Sequence, residues 1–265
     1  MREDRGVNTL LLKLVLTPAL IGLASLAGRR WGPSVSGWLV GLPFTSGPII
    51  LFLVLDHGTG FGARAALGVA AGTMSQAAFA LTYSRLARGF GMMGSLLAAG
   101  LAFGVATALL LAVSPATVIL AVVVAAVLLV ALAAMPDHVP GADSSARSIP
   151  VWDIPARMVV AVVFVLLLTG AAPLLGPRLA GLLTPFPLYA TVLTVFAHRL
   201  YGAGAAIGVL DGLLFGLFSF AAFFITLAGL LQRIGIGAAF AAALIVALGL
   251  QMCTLAVLRA RPVHS

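Results

Sequence analysis

Apolar residues in this chain gather into runs, and most runs are about as long as a helix needs to cross a bilayer, roughly 20 residues. The runs lie at 8–28, 35–56, 63–85, 93–113, 117–135, 155–175, 180–200, 206–230 and 236–258. Only Ser114-Pro115-Ala116 separates the fourth from the fifth, which predicts a tight turn. The long polar segment, 136–154, holds Asp137, His138, Asp143, Arg147 and Asp153 and reads as a linker between halves. Asp153 followed by Pro155 reads as an N-cap region with proline in the first turn, which starts the sixth helix. The first run is read as a retained span rather than a cleaved leader, because Glu3 and Asp4 precede it and Lys13 interrupts it.

The pattern repeats at a shift of 144 residues, without a gap across 32–79. Gly32-Pro33 falls on Gly176-Pro177, Pro43 on Pro187, Phe52 on Phe196, and Ala77-Ala78-Phe79 on Ala221-Ala222-Phe223. The same shift lays Gly68, Gly72 and Ser75 on Gly212, Gly216 and Ser219, and Lys13 on Arg157. Chance matches are common in an Ala/Leu/Gly-rich chain, but prolines, phenylalanines and a basic residue rarely align in one register. Each unit has four spans, and the fifth span lies between the units. Matching spans are five apart, and an odd offset forces opposite orientations. The expected fold is therefore all-α: a polytopic membrane bundle of about nine transmembrane helices, made of two inverted four-helix repeats plus one linking helix. The first repeat is 1–113, the linking helix and polar loop 114–154, and the second repeat 155–265.

Composition agrees. Of 265 residues, 62% are hydrophobic and 8% charged, with a mean hydropathy of +1.18. Soluble domains carry about 25% charged residues, so lipid must solvate much of this surface. The net charge of +8 does not imply nucleic acid, because the basic residues stand singly or in pairs at the ends of apolar runs. With the N-terminus outside, cytoplasmic segments hold Arg29, Arg30, Arg85, Arg88, Arg147, Arg199, Arg259 and Arg261. The opposite side holds Arg2, Arg5, Arg64, Arg178 and Arg233, so the bias favours N-out and C-in. A single cysteine, Cys253, excludes an intrachain disulfide and a multi-cysteine metal site.

Candidate chemistry concentrates in the second span of each unit. Gly41-Leu42-Pro43-Phe44-Thr45-Ser46-Gly47-Pro48 corresponds to Thr184-Pro185-Phe186-Pro187-Leu188-Tyr189-Ala190-Thr191. Closely spaced interior prolines predict a kinked or broken helix, which a membrane tolerates where protein or trapped water satisfies the freed carbonyls. Interrupted helices at matching positions of inverted halves point to a transport site; a kink that only shapes packing is the plainer alternative. Pro43, Thr45, Ser46, Thr184, Pro187 and Tyr189 are the candidate lining. Asp211, inside the eighth span, is the candidate proton- or cation-coupling group, or else a carboxylate paired with Arg157. Lys13 and Arg157 could receive an anionic headgroup or substrate, or snorkel to the interface. Asp56, His57, His198 and Arg199 are candidate gating residues at the ends of the second spans, and Gln76 is a buried amide. The pairs Gly68/Gly72 and Gly212/Gly216 read as a packing seam, with the third spans central and packed against each other. Asp137 beside His138 is weak as a metal site, no enzyme motif is present, and no cofactor is expected.

The stretch Ala180-Gly181-Leu182-Leu183-Thr184-Pro185-Phe186-Pro187, continuing to His198 and Tyr201-Gly202, resembles the GlpM-like family of small bacterial inner-membrane proteins. These have about four helices, an early lysine and an AGL…P-F-P stretch. Arg157 takes the lysine's place in the second unit and Lys13 keeps it in the first, so the chain would be a fused tandem of two such units. The first unit departs from the pattern at Gly41-Leu42-Pro43-Phe44. The resemblance implies the bacterial inner membrane and no particular activity. Three functions stay open: a small secondary transporter or flippase for a small or lipid-linked substrate, coupled to a proton or cation; a membrane accessory or scaffold protein; and a membrane enzyme acting on lipid-linked substrates. The first is favoured.

Overall fold

The computed structural model describes residues 15, 18–19, 21–27, 29–43, 46–112, 117–137, 152–160, 162–163 and 186–260. These residues are helical or in short connections, with no strand among them. The labelled helices are α1 (Pro33–Val40), α2 (Ser46–His57), α3 (Thr59–Leu86), α4 (Gly91–Leu111), α5 (Thr117–Ala133), α6 (Leu188–Tyr201), α7 (Ala203–Leu230) and α8 (Ile236–Ala260). Residues 21–27 and 153–160 are helical as well. Four helices are long and apolar enough to cross a membrane: α3, α4, α7 and α8 over Ile236–Leu258.

The centre of the bundle is α3 and α7, each of 28 residues and about 42 Å long at 1.5 Å per residue. Over half of the apolar window of each is buried, 56% and 61%, against 22% in α4 and in α8. The two run antiparallel. A Cβ on Gly60 or Gly62, at the start of α3, would meet Gln232 or Leu231, just beyond the end of α7. At the other end, Tyr83 of α3 reaches His198, shortly before α7 begins. Each helix starts after a glycine with positive φ, Gly58 at 86° and Gly202 at 85°. L side chains rarely adopt that conformation, so glycine lets α2 and α6 turn directly into the next helix.

The outer helices bury small or polar residues and expose large apolar ones. On α4, Ser95, Ala99, Phe103 and Thr107 face inward at helical spacing, while Leu97, Leu101, Val105 and Leu109 are exposed. On α8, Ala239, Ala243, Ala247 and Gln251 face inward, each 144 residues after its counterpart on α4, with Leu244, Ile245, Leu248 and Met252 outside. A soluble protein would reverse this pattern; lipid removes the penalty on the outer face and leaves close packing to select small residues inside. Helix α5 packs against both α3 and α7.

The expected second span is discontinuous. Helix α1 ends at Val40, Gly41-Leu42-Pro43 is not helical, and α2 begins at Ser46. In the matching region Phe186-Pro187 is also non-helical, and α6 starts at Leu188 with Pro187 as its N-cap. The glycine seam has a different partner from the one expected. Gly212 and Gly216 do not pack on α3: a Cβ on Gly212 would overlap the Ser34 carbonyl, and one on Gly216 would crowd the Trp38 carbonyl and Gly41. Gly37 and Gly41 in turn lie on the backbone of Val209 and Gly216. A short half-helix is therefore seated backbone to backbone in the groove of α7. Gly68 of α3 meets nothing within 4 Å. A helix starts at 153, in the N-cap region expected there, and Pro155 sits in its first turn.

Candidate functional site

Three buried polar groupings sit in or beside this apolar bundle. The first surrounds the break after α1. A helix that stops in mid-bundle leaves its last carbonyls without intrahelical partners. Here the Trp38 carbonyl accepts from Gln251 Nε2 on α8 at 2.9 Å and from the Gly41 amide at 3.1 Å. Ser219 of α7 donates to Gln251 Oε1. The Trp38 indole donates to Thr254 at 3.1 Å, whose hydroxyl donates to the Gln251 carbonyl at 3.0 Å. The break is thus held by α7 and α8. At the same offset in the other half, Thr107 donates to Ser75 at 2.8 Å.

Along α7 the chain 33–57 runs in the same direction as the helix, with Ser34 opposite Gly212, Gly41 opposite Gly216, and Gly47 near Phe223. Asp211 is 2% exposed and adjoins the first of these crossings in sequence, so the coupling candidate lies on the stretch of α7 that carries α1. Pro43 and Ser46 are buried just beyond the break. Val40, at the end of α1, and Phe186, before α6, pack against one apolar cluster that includes Leu188, Leu193 and Val209. The break after α1 and the start of α6 therefore border common ground. Pro187 is buried at the second one, and Tyr189 is half-buried against the same cluster. Gln76 is buried on α3.

The second grouping joins α3 to α6. The Tyr83 hydroxyl lies 3.0 Å from His198 Nδ1, and Phe79 and Phe103 both meet Phe186 edge to face. His198 is thereby tied to the aromatic packing around the start of α6. Arg199 points away and is exposed. Asp56 and His57 form the last turn of α2, and their side chains lie outside the described residues, as do Lys13, Thr45, Thr184 and His138.

The third grouping was missed in the sequence. Asp153, 1% exposed, pairs with Arg29 Nη2 and with Arg157 Nε, both at 3.0 Å. The Arg157 guanidinium also lies 5.1 Å over the Phe196 ring, and Tyr201 is within electrostatic reach of all three charges. Arg157 thus pairs with Asp153 rather than with Asp211. The i,i+4 spacing of Asp153 and Arg157 was the available signal; Arg29 is 124 residues away and gave none. Nearby, Arg85 and Arg88 cap the Ala134 and Asp137 carbonyls at 2.9 and 2.6 Å. One end of the bundle thus gathers Arg29, Arg85, Arg88, Arg157 and Arg199, while Arg64 and Arg233 belong to the other. Among the described residues, no group of three or more His, Cys, Asp or Glu could hold a metal ion.

No family model matches the chain, and no curated protein or solved structure is found similar to it.

Proposed function

We propose that this chain is a small secondary transporter or flippase, with its substrate path at the interrupted second spans and Asp211 as the coupling group. The observation that carries the reading is the broken helix α1–α2, seated in the glycine groove of α7 beside a buried carboxylate. Non-helical backbone at membrane depth is rare outside sites that line a cavity or bind an ion. A chain needing only rigid spans gains nothing from a break, or from a carboxylate that is costly to bury.

The architecture belongs to the same proposal: two inverted copies of a four-helix unit, each resembling the GlpM-like family, about a linking helix α5. Its support is the recurrence at 144 residues of the junction glycines, the 28-residue helices, the inward stripes of α4 and α8, and the Ser75–Thr107 and Ser219–Gln251 bonds. Antiparallel α3 and α7 are what inverted copies require. The arginine-rich end faces the cytoplasm under the positive-inside rule; the N-terminus is then outside and the C-terminus inside, in a bacterial inner membrane.

A second reading, an accessory or scaffold protein, draws on the Trp38–Gln251–Ser219 network, because a break so fully satisfied by protein can also be static. Paired cytoplasmic and periplasmic reporters at both termini and within 138–148 test the architecture, with N-out and an inside linker and C-terminus expected. Both termini on one side would mean that the span count is wrong and would reopen whether the repeats are inverted or parallel, favouring the accessory reading. Transport is tested by charge movement in reconstituted membranes challenged with carboxylates, amino acids and phosphorylated compounds. A current for one class supports the proposal. Silence for all of them, with Asp211, Lys13 and Arg157 together replaceable by alanine, favours the scaffold.

A further inference from the structure

Of the Arg29–Asp153–Arg157 cluster only Arg157 is a candidate for an anionic headgroup or substrate, and among the described residues the charges of the cluster do not balance. Among the described residues two guanidinium groups share one buried carboxylate, leaving one positive charge in excess; Arg157 is buried, whereas the Arg29 side chain is a third exposed. A helix-to-helix staple needs one arginine; a second raises the desolvation cost unless an anion answers it. The side chain of Arg157 is 8% exposed. It spends Nε on Asp153, and its terminal nitrogens donate to nothing among the described residues. Phe196 under the guanidinium fixes its plane. A planar fork held this way is the arrangement that recognises phosphate bidentately.

The surroundings place the cluster at a membrane surface. Trp31 and Trp152 flank it in sequence and are 57% and 61% exposed, as tryptophans are in interfacial belts. Arg30 stacks on Trp31 at 5.5 Å. Just inside, Ser25, Ser84 and Thr194 bury hydroxyl oxygens that have no partner among the described residues; they precede Arg29, Arg88 and His198 by one helical turn each. Unpartnered buried hydroxyls are costly, and their depth next to the arginines suits a polar headgroup.

We infer that Arg29 and Arg157, oriented by Asp153, bind a phosphate-bearing anion at this end of the bundle. The inference concerns binding and does not rest on transport. The test is native mass spectrometry of the purified chain titrated with phosphatidylglycerol, with phosphatidylcholine and with inorganic phosphate. Wild type is expected to prefer phosphatidylglycerol about tenfold, the worth of one strong charge-assisted contact. Arg157→Gln should abolish the preference, and Arg157→Lys, which keeps the charge but not the fork, should retain part of it. Asp153→Asn removes the competing negative charge while its amide oxygen can still accept from Arg157 Nε and keep the fork in place, so anion affinity should rise although stability falls; Arg157→Gln in the same background should remove that gain, which separates a site from a general increase in positive charge. Inorganic phosphate binding that Arg157→Gln removes would support the same site and name a soluble phosphate compound as its source. If Arg157→Gln keeps the wild-type lipid preference, or if Asp153→Asn leaves anion affinity unchanged or lower, the inference fails.

Discussion

Helices α3 and α7 have the same length, the same glycine junction and a serine at the same depth bonded to the neighbouring outer helix, yet they do different work. Helix α7 is apolar but for a few residues, carries Asp211, and offers a groove at Gly212 and Gly216 that receives the backbone of α1. In α3, Thr73, Ser75, Gln76, Tyr83 and Ser84 are buried, and Gly68 faces open space. Scaffold features recur along the chain, while the chemistry is carried unevenly. Under the inverted reading, one copy of the third span supplies the seat for a broken helix and the charge, and the other supplies hydroxyls, an amide and the tyrosine that holds His198.

The glycines give the largest test of that contrast. Gly212→Ala puts a methyl group where the Ser34 carbonyl lies, and backbone cannot yield as a flexible side chain can. The expected loss is about 3 kcal/mol, the upper end for overpacking a tight contact, seen as aggregation or a collapsed melting transition in detergent. Gly68→Ala adds a methyl to free space and should change stability by less than about 0.5 kcal/mol, with the better helix propensity of alanine in its favour. Equal damage from both would mean that α3 holds a partner at Gly68 as tightly as α7 holds α1.

Next in size is the carboxylate. Asp211→Asn keeps shape and hydrogen-bonding capacity but removes the charge. Expression should hold, and any ion-coupled charge movement should vanish. The counterpart of Asp211 on α3 is Leu67, so Leu67→Asn should leave coupling intact. Full transport in Asp211→Asn would remove this residue from the mechanism.

Gln251 comes third. Gln251→Leu leaves the Trp38 carbonyl with the Gly41 amide alone and the Ser219 hydroxyl with the Gly216 carbonyl. A buried polar group that loses its partner costs about 1–3 kcal/mol. Because the lost bond holds the end of α1, proteolysis or hydrogen exchange should increase first around residues 38–43. An unchanged exchange pattern there would show that the glycine seam alone fixes the break.

The spans of α3, α4, α7 and α8 were legible because lipid imposes length and hydropathy directly on sequence. The break in the second span was legible from Pro43 within an apolar run. The occupant of the glycine groove was not. A small-residue stripe records that something approaches closely without saying what, and the matching stripe of α1 (Gly37, Gly41) spans only four residues. The pairing of Asp153 with Arg157 was not drawn, because the start of a helix and an i,i+4 pair are read from the same local sequence. The arginine that completes the cluster is distant in the chain, and no periodicity connects the two. Gln251 looked like an isolated polar residue in an apolar run, since its acceptor is a backbone carbonyl, which every residue carries.

The smallest effect belongs to the counterpart of Gln251. Thr107 donates to Ser75 from the position 144 residues earlier, but it caps no interrupted helix among the described residues. Thr107→Val keeps the volume and removes one hydroxyl, while Ser75 can turn to a carbonyl one turn back, as Ser219 does toward Gly216. Interhelical hydrogen bonds in membranes average about 0.6 kcal/mol, and the loss here should not exceed that. A double-mutant cycle with Ser75→Ala measures the coupling itself. A coupling well above about 1.7 kcal/mol, the upper end for such bonds, would mean that Ser75–Thr107 supports a strained backbone as Ser219–Gln251 does, and the two central helices would then be doing the same work after all.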